Sequence, residues 1–174
     1  MNTLIEVLAL RIAQHIKNVV PDHPASVAVL KHAMAVILNV VFITSMTLFV
    51  SAFTGFTIEV LIIMASFAFL RQMTGGLHLK SSMWCVAVST ALFTGMSFIN
   101  LDYNWTTGTT LFSMLLILIF APAGIERQTR IPPRYFPLLR SGAFIAVSFN
   151  LWIGNPYVAI SFLVQSVSLI NFRR

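Results

Sequence analysis

The residues of this sequence whose types could perform chemistry lie close together, between positions 71 and 85. They are Arg71, Gly75, Gly76, His78 and Cys85, and the last is the single cysteine among 174 residues. A cysteine attacks a carbonyl as the thiolate, which a nearby base such as histidine or a positive charge promotes. Backbone amides at glycines or at a helix N-terminus can stabilise the resulting oxyanion. These residue types would permit acyl transfer, and a buried apolar cysteine beside a plain glycine turn is the alternative.

The spacing of His78 and Cys85 places a demand on the backbone between them. In one straight helix, their separation of seven positions corresponds to about 10 Å along the axis. Side chains lean toward the helix N-terminus, so His78 would also point away from Cys85. The two side chains can therefore meet only across an interruption of the helix or between two chains. The residues that would permit an interruption are Gly75, Gly76, Ser81 and Ser82.

The chain that must position these residues has the composition of an integral membrane protein. Its apolar fraction is 57% and its charged fraction is 9%, against roughly 45–50% and about 25% in soluble domains. The mean hydropathy is +0.87, and so few charges could not cover a soluble surface. A single cysteine also excludes an internal disulfide. We interpret the net charge of +6 as an orientation signal and a contact with anionic lipid, not as a nucleic-acid surface.

The hydropathy pattern predicts an all-α integral membrane protein with about six short transmembrane helices. Residues 3–19 predict an amphipathic helix in the membrane interface. The predicted spans are 33–53, 56–70, 82–99, 109–123, 141–153 and 157–170. Several are shorter than the roughly 20 residues of a straight span, so we expect bilayer thinning or shielding by neighbours. We predict one membrane domain over 1–174, with an amphipathic cytoplasmic-face segment 1–32, the six-helix region 33–170 and a basic tail 171–174.

The distribution of positive charge supports this topology. With a cytoplasmic N-terminus, all 11 Lys and Arg residues fall in inner segments, and the outer turns near 54–56, 100–108 and 154–156 contain none. This satisfies the positive-inside rule. We therefore expect a multi-pass protein with both termini in the cytoplasm and with residues 71–85 in the cytoplasmic loop between spans two and three. The prolines of the inner loop 124–140 favour an extended strand.

Other polar residues support competing interpretations. A small membrane transporter would need polar groups at mid-membrane depth, and the candidates are sparse: Asn39, Glu59, Asn150 and Gln165. We read Glu59 as an interfacial carboxylate. The remaining histidines show no zinc-ligand spacing with His78 and Cys85, so neither a metal nor a cofactor is expected. A non-catalytic membrane scaffold would explain neither His78 nor Cys85. The group that orients His78 stays open among Gln72, Ser81, Ser82 and a backbone carbonyl.

The spacing of the reactive segment resembles the signature of a known family. The pattern Arg-x-x-x-Gly-Gly-x-His, followed after six intervening residues by Cys, is formed by Arg71, Gly75, Gly76, His78 and Cys85. It resembles that of the accessory gene regulator B family, which are membrane cysteine endopeptidases of quorum sensing in Gram-positive bacteria. The short apolar spans, the amphipathic N-terminus and an Ala-Pro-Ala element at 121–123 before a basic inner loop are also similar.

The resemblance implies a function and a set of residue roles. Cys85 would be the nucleophile and His78 its base, while Arg71, Gly75 and Gly76 would stabilise the oxyanion or position the substrate. The substrate would be a short amphipathic propeptide, cut at the cytoplasmic face through a Cys85 thioester. A Cys or Ser of the product would then close a thiolactone or lactone ring, which gives an autoinducing peptide. The expected partners are this propeptide, anionic inner-leaflet lipid and a second copy in a homodimer in the bacterial cell membrane, with no nucleic acid.

Overall fold

The computed structural model describes residues 4–76, 81–123 and 132–170, and the regular elements within these ranges are helices. This confirms the predicted all-α class. A short 3₁₀ turn, Pro133–Tyr135, precedes α6. The helices are α1 (Leu4–Val19), α2 (Val27–Thr54), α3 (Thr57–Thr74), α4 (Ser82–Ser97), α5 (Tyr103–Phe120), α6 (Phe136–Ser148), α7 (Asn150–Ile153) and α8 (Pro156–Ser168).

Among the described residues, four helical segments are long and apolar enough to cross a membrane. They are Val27–Thr54, Thr57–Thr74, Tyr103–Phe120 and Pro133–Ile153. Two further apolar helices, α4 and α8, have 16 and 13 residues. At about 1.5 Å per residue, these helices extend roughly 24 Å and 20 Å, less than the about 30 Å of a bilayer core. These helices agree with the predicted membrane protein, while the multi-pass topology and the crossing of the membrane by α4 and α8 stay predictions.

The N-terminal helix α1 forms where the amphipathic pattern predicts it. Its buried residues are Ile5, Ala9 and Ala13, which follow one another at helical spacing of four. Leu4 and Ile12, on the neighbouring apolar stripe, are exposed. An exposed apolar stripe is compatible with an interfacial position, which stays a prediction.

Local capping signals explain several helix boundaries. The Asp102 side chain accepts a hydrogen bond from Trp105 N at 2.9 Å and starts α5. The Asn155 side chain accepts from the amides of Tyr157 and Val158 and starts α8, with Pro156 at its first position. Gly154 ends α7 in the left-handed conformation, with φ of 64°. The predicted turn at 154–156 is confirmed, whereas only residues 100–102 of the predicted turn at 100–108 lie outside a helix.

Several predicted boundaries are wrong. The first predicted span began at 33, but α2 begins at Val27, and the second ended at 70, but α3 continues to Thr74. The fourth predicted span began at 109, but α5 begins at Tyr103, so Asn104 and Gly108 lie in the helix. The Asp102 cap outweighs the weak helix propensity of these residues. The inner loop was predicted to be extended up to residue 140, but α6 begins at Phe136. Pro137 is tolerated there because an amide in the first helical turn has no intrahelical acceptor.

The chain forms two compact units, and each is described by itself. The first comprises Met1–Phe53 and His78–Leu92, and the second comprises Thr54–Leu77 and Phe93–Arg174. In the first unit, two side-chain hydrogen bonds join α2 to α4, between Asn39 and Cys85 and between Thr47 and Thr90. Both residue numbers rise from one pair to the next, so these two helices run in the same direction. Spans one and three of the predicted topology require that direction.

The second unit has a continuous apolar core between α3, α5, α6 and α8. Its buried residues are Leu70, Ile117, Ala121, Ala143, Val147, Phe162 and Leu169. Small polar residues also join these helices: the Ser66 hydroxyl donates to the Ser161 hydroxyl at 2.9 Å, and the Ser161 hydroxyl donates to the Ile63 carbonyl at 3.1 Å. Such residues let apolar helices approach closely and satisfy their hydroxyls across the interface. This core supports the end of α3, where the glycine pair lies.

Candidate functional site

Cys85 lies in the first turn of α4, directly after an interruption of the helix. Ser81 is not helical, α4 begins at Ser82, and the amide of Cys85 donates to the Ser81 carbonyl at 3.0 Å. The interruption that the spacing of positions 78 and 85 demands is therefore present. His78 lies outside the described residues. The thiol of Cys85 is partly exposed and forms no disulfide.

The thiol of Cys85 has a polar neighbour that the sequence did not connect with it. Asn39 of α2 donates a hydrogen bond from Nδ2 to Cys85 Sγ, with 3.4 Å between the two atoms. This distance is within the usual range for a sulfur acceptor, since sulfur is larger than oxygen. The other end of the same amide, Oδ1, is buried and accepts no hydrogen bond from the described residues. The sequence analysis considered Asn39 only as a polar residue of an apolar span that a transporter could use.

The glycine pair lies at the end of α3 in a conformation that other residues adopt poorly. Gly75 has φ of 75° and Gly76 has φ of 138°, and both residues are buried. A Cβ atom added at Gly76 would lie 3.1 Å from Gln165 Nε2 and 3.1 Å from Ser168 Oγ. Positive φ and close packing together explain why glycine occupies position 76.

The amide and the carbonyl of Gly75 both have partners. Its N–H donates to the Arg71 carbonyl at 2.9 Å and closes the last turn of α3. Its carbonyl accepts from Gln165 Nε2 at 2.6 Å, and the same nitrogen lies 2.9 Å from Thr74 Oγ1. Gln165 is fully buried in α8. Because the Gly75 N–H is already donated, Gly75 serves the backbone turn and offers no amide for an oxyanion.

Arg71 lies in the last turn of α3, beside the glycine pair. Its guanidinium carbon is 5.9 Å from the centroid of the Phe67 ring, which is within the range of a cation–π contact. Its Nη1 atom lies 3.4 Å from the position that a Cβ atom of Gly76 would take. A positive charge is also favourable near a helix C-terminus. The structure thus brings Arg71, Gly75 and Gly76 into one cluster with Gln165.

A second sequence element meets this cluster. Ala123 pairs with Gly75 in a parallel bridge, in which the Ala123 amide donates to the Thr74 carbonyl at 2.9 Å. Arg140 Nε donates to the Ala121 carbonyl at 2.6 Å, and the peptide between Ala121 and Pro122 is cis. The glycine pair and the Ala-Pro-Ala element, which are far apart in sequence, therefore lie side by side.

Two of the polar residues considered as transporter candidates, Asn150 and Gln165, form buried hydrogen bonds. Asn150 is buried and donates to Thr110 Oγ1 at 3.1 Å and to the Asn155 carbonyl at 3.2 Å, which fastens the turn before α8. Gln165 holds the glycine turn. Glu59 lies half-buried in the first turn of α3, where a helix favours negative charge. In the ranges that the structure covers, no three His, Cys, Asp or Glu residues form a metal-binding group.

The chain is similar in sequence to known proteins over most of its length. The model of the family described as accessory gene regulator B matches residues 9–170, which include the whole segment 71–85. A protein of Halalkalibacterium halodurans named "Putative AgrB-like protein" is 32% identical over 102 residues. That match covers 59% of this chain and 52% of the relative, so the chain spans about half the length of this curated relative. No solved structure matches the chain.

Proposed function

Because this chain belongs to the accessory gene regulator B family, we propose that it is a membrane-embedded cysteine endopeptidase that processes a quorum-sensing propeptide. Its substrate is a short amphipathic peptide, cut on the cytoplasmic side of the bacterial membrane. The product is a cyclic autoinducing peptide closed by a thiolactone or lactone. The observation that carries the proposal is the family match over residues 9–170, because it contains the whole spaced motif from Arg71 to Cys85.

The proposed reaction begins with acyl transfer to Cys85. His78 takes the proton of the Cys85 thiol, and Sγ attacks the scissile carbonyl carbon. The C–N bond then breaks, the leaving amine takes the proton from His78, and the N-terminal product remains bound to Cys85 as a thioester. The oxyanion of the intermediate needs N–H donors. We assign them to the amides of the first turn of α4, Ser82–Trp84, because the first amides of a helix have no intrahelical acceptor.

The second step is ring closure. A Cys or Ser side chain of the bound product attacks the thioester carbonyl, its proton passes through His78 to Cys85, and the Cys85 thiol is released. A thioester keeps the acyl group activated, provided that water is excluded from the site. The apolar surroundings of a membrane-embedded Cys85 favour this outcome over hydrolysis. They also favour a membrane-bound amphipathic substrate, which an interfacial site concentrates.

The roles of the remaining motif residues follow from their contacts. Gly75 and Gly76 form the turn that leads from α3 toward position 78, and Gln165 holds that turn. Arg71 is a positive group beside the turn and is proposed to bind the acidic part of the propeptide. These are positioning roles, and Cys85 and His78 carry the chemistry.

The test compares propeptide processing by variant proteins. Each variant is expressed with candidate substrates from the source genome, namely short amphipathic peptides with an internal Cys or Ser, and the products are analysed by mass spectrometry. The intact protein yields a C-terminal fragment and an N-terminal fragment that is one water lighter than its linear form. Cys85→Ala and His78→Ala abolish both products, whereas His15→Ala, which changes an exposed histidine of α1, does not. Normal cleavage by the Cys85→Ala and His78→Ala proteins would disprove the proposal.

The proposed location of the site is tested by labelling. Cys85 is the single cysteine of the chain, so a membrane-impermeant maleimide reports on this position alone. We propose that both chain termini and the 71–85 segment face the cytoplasm, and labelling is then expected in inverted vesicles and not in intact cells. Labelling of Cys85 in intact cells would place the site on the other side of the membrane.

A further inference from the structure

We propose that Asn39 is the positioning residue of the Cys85 nucleophile: its amide nitrogen holds and stabilises the thiolate, and its amide oxygen receives an N–H of the bound propeptide. The inference rests on the proposed endopeptidase function. It concerns a residue outside the 71–85 segment, on a different helix. Its basis is one contact and one unsatisfied atom within the first unit.

The contact fixes the sulfur from the side of α2. Asn39 Nδ2 donates to Cys85 Sγ across 3.4 Å, between residues 46 positions apart in sequence. Cys85 lies in the first turn of α4, and α2 is a continuous helix of 28 residues. The sulfur is thus tethered to a rigid element rather than to the interrupted segment before α4. A nucleophile held in one rotamer attacks a carbonyl more often in a productive geometry.

The Asn39 N–H is suited to the negative charge that Cys85 Sγ carries when it attacks. A thiol is a weak hydrogen-bond acceptor, whereas a thiolate carries a full negative charge. A hydrogen bond to a charged group is stronger than one between two neutral groups. The N–H of Asn39 therefore forms its stronger hydrogen bond after Sγ has given up its proton to the base.

The other end of the amide indicates a second contact. Asn39 is the only Asn or Gln in α2, and its Oδ1 is buried without a hydrogen bond from any described residue. A buried polar oxygen in an apolar helix is unfavourable unless a donor reaches it. A peptide bound at Cys85 carries backbone N–H groups next to its scissile carbonyl, and one of these satisfies Oδ1. The same amide would then align both reacting groups.

The chain offers a matched control for this role. Thr47 and Thr90 also join α2 to α4, with 3.4 Å between their hydroxyl oxygens. Thr47→Val removes this hydrogen bond between the two helices without touching Cys85. Asn39→Leu removes both ends of the amide at similar volume, and Asn39→Asp keeps an acceptor oxygen but removes the N–H donor.

The first readout is the alkylation rate of Cys85 by iodoacetamide in the reconstituted full-length protein, normalised to the labelling of the same sample after unfolding in detergent. We expect Asn39→Leu and Asn39→Asp to slow alkylation roughly 10- to 100-fold, as loss of a hydrogen bond to a charged group predicts. Thr47→Val is expected to alkylate at the rate of the unchanged protein. Equal rates in all four proteins overturn the donor role of Asn39.

The second readout separates the two ends of the amide. With a propeptide that the unchanged protein cleaves, both Asn39 variants are expected to lower kcat, while Asn39→Leu also raises KM because it lacks the acceptor oxygen. An equal KM in the two variants overturns the acceptor role. Cleavage of the propeptide by the Cys85→Ala protein would disprove the proposed function itself, independently of the role of Asn39. If Cys85 is essential and Asn39→Leu cleaves as fast as Thr47→Val, the inference about Asn39 alone is wrong.

Discussion

At the scale of single residues, each of the two units has a side-chain amide that bonds to a candidate site residue on another helix. Gln165 donates to the Gly75 carbonyl and to Thr74 Oγ1, and Asn39 donates to Cys85 Sγ. Both are neutral, so they carry no charge into an apolar interior. Each can donate and accept at once, which suits a place where two polar groups meet away from water.

The first residue-scale prediction concerns Gln165. Gln165→Leu keeps a similar volume but leaves the Gly75 carbonyl without this donor. We expect a loss of about 1–3 kcal/mol of stability, because a buried acceptor loses its hydrogen bond. Thermal unfolding in detergent measures the change. Ser166→Ala is the control, since the Ser166 hydroxyl is buried in the same helix and donates to the Phe162 carbonyl of that helix. Equal effects of both variants would contradict the role of Gln165.

The second residue-scale prediction concerns Gly76. Gly76→Ala forces an L side chain into a backbone with φ of 138° and against Gln165 and Ser168. We expect a destabilisation of roughly 1–3 kcal/mol, the usual range for a strained backbone, and loss of processing. Gly108→Ala is the control, because a Cβ there meets nothing within 4 Å. That change lies in α5 and is expected to be neutral or to stabilise by about 0.5–1 kcal/mol. A stable, active Gly76→Ala protein would show that the turn does not need glycine.

At the scale of elements, polar groups form capping hydrogen bonds at the ends of several of the apolar helices. Asp102 and Asn155 cap α5 and α8, and the Gly75 amide closes α3. These groups occupy the ends because the first amides and the last carbonyls of a helix lack intrahelical partners. The start of α4 has a different proposed role from these caps. Its first turn contains Cys85, and the amides of Ser82–Trp84 are proposed to donate to the oxyanion.

The element-scale prediction concerns the cap of α8. Asn155→Ala removes the acceptor of two amides, those of Tyr157 and Val158. Loss of an N-cap costs about 0.5–2 kcal/mol, and we expect a corresponding fall in the thermal midpoint of the full-length protein. Ser148→Ala provides the comparison, because the Ser148 hydroxyl donates an exposed hydrogen bond to the Ile145 carbonyl of its own helix. An unchanged midpoint in Asn155→Ala would mean that the helix start is held by other contacts.

At the scale of the whole molecule, the sequence permits two arrangements of the reacting pair. Cys85 and His78 meet within one chain across the interruption before α4, or they meet between two chains of a homodimer. We propose a homodimer, since the short helices α4 and α8 gain from shielding by neighbouring protein. The two arrangements differ in what a mixture of inactive chains can do.

The whole-molecule prediction uses complementation. Cells that express Cys85→Ala and His78→Ala chains together contain mixed dimers. If the pair meets within one chain, both sites of a mixed dimer lack one partner and processing stays absent. If the pair meets between chains, one of the two sites in each mixed dimer is complete. With random pairing, about half of the dimers are mixed, so about a quarter of all sites are intact. Processing is then expected at roughly a quarter of the normal rate. Expression of each variant alone, with no processing, is the control.

Much of the fold could be predicted because it follows from local physics. Hydrocarbon surroundings require backbone groups to be satisfied within each segment, so a long apolar run in such a chain is a helix. Turn residues such as Gly154 and Asn155 act on their immediate neighbours, and their positions were predicted correctly. The starts of α5 and α6 were missed because a single cap or a proline in the first turn decided them.

The sequence by itself determined the membrane-helix class, the interruption before Cys85 and the motif from Arg71 to Cys85 that resembles the family. Only the tertiary structure decided that Asn39 contacts Cys85, that Gln165 holds Gly75 and that Ala123 bonds to Thr74. The physical reason is the range of each interaction. Caps and turns act between neighbours in sequence, whereas the residues in these three contacts are 46, 90 and 49 positions apart. They depend on how helices rotate and cross, which no local pattern of residues specifies.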